Sequence, residues 1–215
     1  MKQLGFFIDT SKCTGCKTCT VACKDAHNLP EGVNFRRVLE YAGGSWRQDR
    51  MTGAWYQNVF AYYLSLSCNH CEDPACVKVC PTKAHHKRAE DGLVVIDREK
   101  CIGCGMCAKA CPYGAPQFDA AARKMVKCDG CLDRLEKGLA PICVESCTQR
   151  AIEFGDIEEL RKKHGELAAI GPLPDASQTK PALVVKAPKT VSKAELQSEA
   201  EGTVYTLSTR TFGAL

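Results

Sequence analysis

The chain has 215 residues, a formal net charge of +4 and 16 cysteines. A chain of this length can bury a core without cross-links, so the cysteines need another role, and no apolar run approaches the 18 residues of a membrane-spanning helix. Basic residues are interleaved with the cysteines (Lys12, Lys17, Lys24, Lys78, Lys83, Lys100, Lys109 and Lys127) rather than gathered with aromatics, which fits compensation of buried negative charge better than a nucleic-acid face.

In chain order, Gln3 to Asp9 is an expected short strand that leads into the first cysteine group, Cys13-x2-Cys16-x2-Cys19-x3-Cys23. No signal-peptide pattern is read before it. Arg36-Arg37 has no apolar run behind it and is not an export signal. Val59 to Leu66, rich in aromatic and β-branched residues, is a second expected strand. The stretch Trp55 to Cys68 containing it is too short and too polar to span a bilayer. It enters group two, Cys68-x2-Cys71-x4-Cys76-x3-Cys80 followed by Pro81. A hairpin is expected over His85–Asp97, with Asp91-Gly92 favouring a type I′ turn, and His85-His86 on its solvated surface. Group three is Cys101-x2-Cys104-x2-Cys107-x3-Cys111 followed by Pro112. A second hairpin is expected over Gln117–Val126. Group four is Cys128-x2-Cys131-x11-Cys143-x3-Cys147. Ala151 to Phe154 is an expected strand, and Asp156 caps an expected helix, IEELRKKH, that Gly165 stops. Short helices are expected to carry the third and fourth cysteine of each group. From Gly171 onward the chain reads as a tail, extended or disordered unless a partner orders it.

The cysteine pattern is an internal repeat. Three cysteines at 2-2 spacing wrap one corner of an iron–sulfur cluster. The fourth lies on the helix leaving the loop and ligates the other cluster, as in two-cluster ferredoxins. Sixteen ligands divide into four [4Fe–4S] sites with none left over. Zinc, which takes thiolates from two separated knuckles, and disulfides remain as alternatives. Sixteen thiolates and four oxidised cubane cores take the formal +4 to about −4. His70, inside a group already supplied with four cysteines, reads as a loop residue. There is no phosphate loop, dinucleotide fingerprint or triad.

The stretches GFFIDTSKCTGCKTCTVACKD, FRRVLEYAGGSW, NVFAYYLSLSCNHCEDPACVKVCPTKAHHKR, CIGCGMCAKACPYGAPQFD and KCDGCLDRLEKGLAPICVESC closely resemble the iron–sulfur subunits of anaerobic dimethyl sulfoxide reductases. More broadly they resemble the four-cluster electron-transfer subunits of molybdopterin oxidoreductases. The resemblance covers about residues 3 to 173. It implies an α+β fold of two bacterial-ferredoxin-like modules, with residues 1–34 pairing with 122–156 and 58–90 pairing with 91–121, followed by a helix and extended tail over 157–215. It implies four [4Fe–4S] clusters, held by Cys13, Cys16, Cys19 and Cys147; by Cys23, Cys128, Cys131 and Cys143; by Cys80, Cys101, Cys104 and Cys107; and by Cys68, Cys71, Cys76 and Cys111.

The resemblance further implies a non-catalytic wire in anaerobic respiration. Its partners are a molybdopterin catalytic subunit and a menaquinol-oxidising membrane anchor. It has no membrane span of its own and sits on the membrane's outer face by co-export with a partner, the cytoplasmic face being the alternative. The Cys13/Cys147 cluster is expected toward the molybdenum subunit and the Cys68/Cys111 cluster toward the anchor. The same wire serving a polysulfide, thiosulfate, selenate or arsenate reductase, or a formate dehydrogenase, is the alternative. Cys23-Lys24 and Cys147-Thr148 depart from the family's Cys-Pro pattern, which puts the shielding of the first two clusters in question.

Overall fold

The structure, a computed structural model, describes residues 2–188 and the backbone of 203–205. Its elements are short. The apolar run LGFFID forms β1 (Leu4–Asp9), which pairs antiparallel with β10 (Ile152–Asp156) and parallel with β11 (Leu183–Lys186). Alternation along β1 sends Phe6 and Ile8 to one face and Phe7 to the other. Phe7 packs with Ile157, Leu160, Ala182 and Val184 under α6 (Ile157–His164). Phe6 and Ile8 pack toward Cys19, Cys143 and Cys147.

A second sheet joins β2 (Arg37–Gly43) to β5 (Phe60–Leu66) in antiparallel register, with β12 (Thr203–Tyr205) along the outer edge of β2. Its Val38, Tyr62, Leu64 and Leu66 enter the same core as Phe6 and Ile8. Three ribbons complete the strands: β3 (Trp46–Gln48) with β4 (Trp55–Gln57), β6 (His85–Lys87) with β7 (Val94–Ile96), and β8 (Gln117–Asp119) with β9 (Lys124–Val126). Helices α1 (Thr18–Ala26), α2 (Ala75–Lys78), α3 (Met106–Ala110), α4 (Leu132–Leu135) and α5 (Ile142–Glu145) lie between them. The architecture is a small α+β fold.

The expected capping of α6 is present: Asp156 Oδ1 accepts from the Glu158 and Glu159 amides, and Gly165 follows the helix at φ 93°. Three expectations need correction. The loop of the β6–β7 hairpin is not a two-residue type I′ turn. Positive φ occurs at Gly92 alone, the Arg88 amide bonds the Leu93 carbonyl, and Asp91 Oδ1 accepts from the Leu93 amide. His85 is not on the surface but 2% exposed. The segment from Gly171 is not a free tail: Ala182 to Val185 are at most 1% exposed, and their backbone completes the first sheet. Their apolar run, LVV, is a buried strand signal too short to separate from a tail without knowing its partner. Of the expected tail, residues 189–202 and 206–215 lie outside the described residues.

Candidate metal centres

Each cysteine group begins with a loop that needs left-handed backbone. The residue just before the second cysteine has positive φ in all four: Gly15, His70, Gly103 and Gly130. Glycine is required sterically in two of them. A Cβ on Gly15 would lie 2.5 Å from the Tyr63 ring, and one on Gly103 would lie 2.5 Å from the Arg123 carbonyl. In group two, a histidine takes the same conformation.

The helix that follows separates the last two cysteines by about one turn, so they face successive chambers. Helix α1 packs on α5, and α2 packs on α3. The pairing crosses the groups. Cys13, Cys16, Cys19 and Cys147 line one pocket, walled by Ile8, Val38 and Ile152. Cys128 faces Cys23 and Cys143, and Cys143 faces Cys131. Cys71 and Cys76 each face Cys68 and Cys111. Cys107 faces Cys101 and Cys104, with Cys80 packed in the same apolar cluster. Sulfurs from different groups thus face one another, and these contacts also run between the expected sets, Cys128 with Cys68 and Cys143 with Cys19. Among the described residues no His, Cys, Asp and Glu side chains are grouped tightly enough to hold a single metal ion, unlike the four thiolates of a zinc knuckle.

Burial pushes the Cys71 and Cys107 thiols up to about 11 and Cys76 up to about 12, and it raises Cys128 well above the ordinary thiol range. Each is raised further by neighbouring cysteine sulfurs. Clustered thiolates are therefore stable here only with a cationic group among them, and binding such a group releases protons. Donors are already aimed at the sulfurs: the His85 amide at Cys80 (3.4 Å), the Met125 amide at Cys101 (3.4 Å) and the Ala151 amide at Cys147 (3.3 Å), with Ser65 Oγ 3.3 Å from Cys19 Sγ. Neighbouring thiols with N–H donors and apolar walls fit cubane clusters.

Three further side chains lie beside the sulfurs: His27, which the sequence does not single out, His70, which reads from it as a loop residue, and Arg36, which reads only as half of an arginine pair that is no export signal. His27, one turn after Cys23, lies 3.9 Å from Cys23 Sγ and 3.7 Å from Cys131 Sγ; the Cys23 sulfur and carbonyl, with Asp129, raise its pKa to about 9. His70 is fully buried. Its Nδ1 accepts from the Val94 amide, which leaves the proton on Nε2, 4.0 Å from Cys128 Sγ. Arg36 is 1% exposed. The helical offset from Cys23 was the available signal for His27; nothing local marks the other two.

Of the lysines expected to offset cluster charge, Lys127 is buried, bonding the Val94 and Cys128 carbonyls. Lys12, Lys78 and Lys100 instead pair outward with Asp9, Asp73 and Asp97. Lys24, in the place of the family's proline, closes the loop after α1 through the Pro30 and Val33 carbonyls, and both Cys23 and Cys147 are buried.

Cys128 faces Cys68 as well as Cys23 and Cys143, so these two expected sets are neighbours. Cys16 and Cys104 are the two exposed cysteines. They belong to the Cys13/Cys147 set and to the Cys80/Cys107 set. Cys68 and Cys76, by contrast, are buried, and Cys71 and Cys111 are partly buried. Ile102, Met106 and Phe118 are exposed around Cys104. Among the described residues no helix is long and apolar enough to cross a membrane.

Residues 59–157 match the family model of the 4Fe-4S dicluster domain, and residues 4–25 match that of the 4Fe-4S binding domain. An anaerobic dimethyl sulfoxide reductase chain of Escherichia coli (strain K12) is 64% identical over 184 residues, 86% of this chain and 88% of the relative. The protein of the same name in Haemophilus influenzae is 57% identical over 86% of this chain and 90% of the relative. A tetrathionate reductase subunit of Salmonella typhimurium is 40% identical over 73% of this chain and 59% of the relative. Cysteine chambers of this geometry and identity of this extent lead to one conclusion: this protein belongs to the 4Fe-4S family of these anaerobic dimethyl sulfoxide reductase chains.

Proposed function

We propose that this protein is the electron-transfer subunit of a molybdopterin oxidoreductase complex that reduces dimethyl sulfoxide or related S- and N-oxides, and that it has no substrate chemistry of its own. The observation that carries the reading is a chain of 16 cysteines whose sulfurs face one another across groups, only Cys16 and Cys104 being exposed. The ligand sets are Cys13/Cys16/Cys19/Cys147, Cys23/Cys128/Cys131/Cys143, Cys68/Cys71/Cys76/Cys111 and Cys80/Cys101/Cys104/Cys107. Residues 1–34 with 122–156, and 58–90 with 91–121, make two ferredoxin-like modules. The α1–α5 and α2–α3 pairings support that division.

When bound, a [4Fe–4S] cluster takes up and gives up one electron. The chain supplies the rest. Paired helices fix the thiol spacing, Phe6, Ile8, Val94 and Met125 keep water from the buried sulfurs, and amide and hydroxyl donors stabilise sulfur charge. The Cys16 end suits a molybdopterin catalytic partner. The Cys104 end, with its apolar rim of Ile102, Met106 and Phe118, suits a menaquinol-oxidising membrane anchor, on the outer face of the membrane after export with the partner. The higher identity to dimethyl sulfoxide reductase chains than to the tetrathionate reductase subunit favours the former substrate class.

The test is reconstitution. The purified chain should accept electrons from a strong reductant yet reduce no S-oxide. Adding the catalytic subunit should restore reduction from an artificial donor, and adding the anchor should restore it from menaquinol. Turnover by this chain alone, free of molybdenum, would refute the proposal.

A further inference from the structure

Arg36 precedes β2 and enters the core side chain first. It is 1% exposed. Its Nη1 donates to the Ser65 carbonyl and to Ser65 Oγ (both 3.2 Å), its Nη2 donates to Ser67 Oγ (2.8 Å), and its Cζ sits 4.5 Å from the Phe6 ring centroid. Nε has no partner. A buried guanidinium usually faces a carboxylate, but among the described residues Arg36 pairs with none. The negative groups it faces are the Cys143, Cys128, Cys19 and Cys23 sulfurs. Three of these belong to the second thiol set and one to the first. Ser65 Oγ, held by Arg36, is itself 3.3 Å from Cys19 Sγ.

We propose that Arg36 is the shared counter-charge of the first two thiolate sets, raising the reduction potentials of both clusters they hold. The inference rests on the four-cluster reading above. A cubane in four thiolates is anionic when oxidised and more so when reduced, so a fixed cation nearby favours the reduced form. Burial keeps water from screening it. Its position between the sets spreads the effect over both, and Ser65 relays part of it to Cys19. The Cys80/Cys101/Cys104/Cys107 set supplies none of the sulfurs that Arg36 faces.

The experiment is an anaerobic redox titration of the loaded protein followed by electron paramagnetic resonance. Arg36→Gln keeps hydrogen bonding to Ser65 and Ser67 but removes the charge. Two of the four one-electron steps should fall, each by at least tenfold in the reduction equilibrium (about 59 mV). Arg36→Lys, which restores the charge without the fork, should recover most of that shift. Ser65→Ala should lower one step only; it carries the test if Arg36→Gln fails to load iron.

Four steps at their original potentials in Arg36→Gln, or in Ser65→Ala where that variant carries the test, would overturn the inference while leaving the four-cluster reading intact. So would an Arg36→Lys variant that behaves like Arg36→Gln, because the role would then be packing alone. Fewer than four steps in the unmodified protein would instead sink the four-cluster reading.

Discussion

Replacing Leu183 by alanine tests whether the segment after Gly171 is part of the wall of the metal chambers. Leu183 is 1% exposed and packs with Phe6, Ile8, Cys19 and Cys147. The change removes three carbons, worth about 2.4 kcal/mol of transfer free energy at about 0.8 kcal/mol per methylene. The parallel strand pairing of β1 with β11 limits collapse of the gap, so a cavity term adds to this, for a total of about 3 kcal/mol. The assay is guanidinium unfolding of the loaded protein under argon, with iron release to a chelator as a second readout. Leu167→Ala, at a side chain 41% exposed, serves as the reference and should cost under about 1 kcal/mol. Leu183→Ala should lower the midpoint at unchanged slope and speed iron loss. Equal midpoints for the two variants would refute the placement of this segment in the core.

Cys23→Ser should deplete the cluster shared with Cys128, Cys131 and Cys143 and leave the Cys13/Cys16/Cys19/Cys147 cluster in place; Mössbauer or paramagnetic resonance spectra showing the reverse would refute the crossed ligation. Cys104→Ser should yield a three-iron cluster at the exposed end and slow quinol-linked turnover of the complex, whereas an unchanged four-iron signal with full activity would contradict the assignment. Gly103→Ala places a Cβ 2.5 Å from the Arg123 carbonyl at φ +72°, so iron incorporation should fall while Gly53→Ala, with no atom within 4 Å, leaves it unchanged. His70→Ala removes a fully buried ring between Val94 and Cys128 and should cost about 3 kcal/mol in unfolding; a loss under about 1 kcal/mol would show that the ring is not structural.

The cysteine spacing made the sites legible before any fold was known, because a 2-2-3 pattern leaves few ways to arrange four thiols around a cluster. The β1 and β5 strands and the α6 caps were equally readable, since their signals are local. What escaped was non-local. β11 shows itself only through its partner β1, 177 residues away at the Asp9–Lys186 contact. Strands β2, β3 and β4 carry mixed, partly exposed sequences with weak periodicity. The buried charges were misassigned because lysines next to cysteines in sequence can point outward, as Lys78 does, while Arg36 reaches four sulfurs from a loop with no cysteine near it. The order of the sets also depends on how the modules pack, which spacing alone does not encode.

The central claim is that all 16 cysteines are ligands and that they hold four cubanes. Iron and acid-labile sulfide counted per molecule in the anaerobically reconstituted protein test it most directly. About sixteen of each is the expected result. Iron near four or eight per molecule, or stoichiometric zinc in its place, would contradict it.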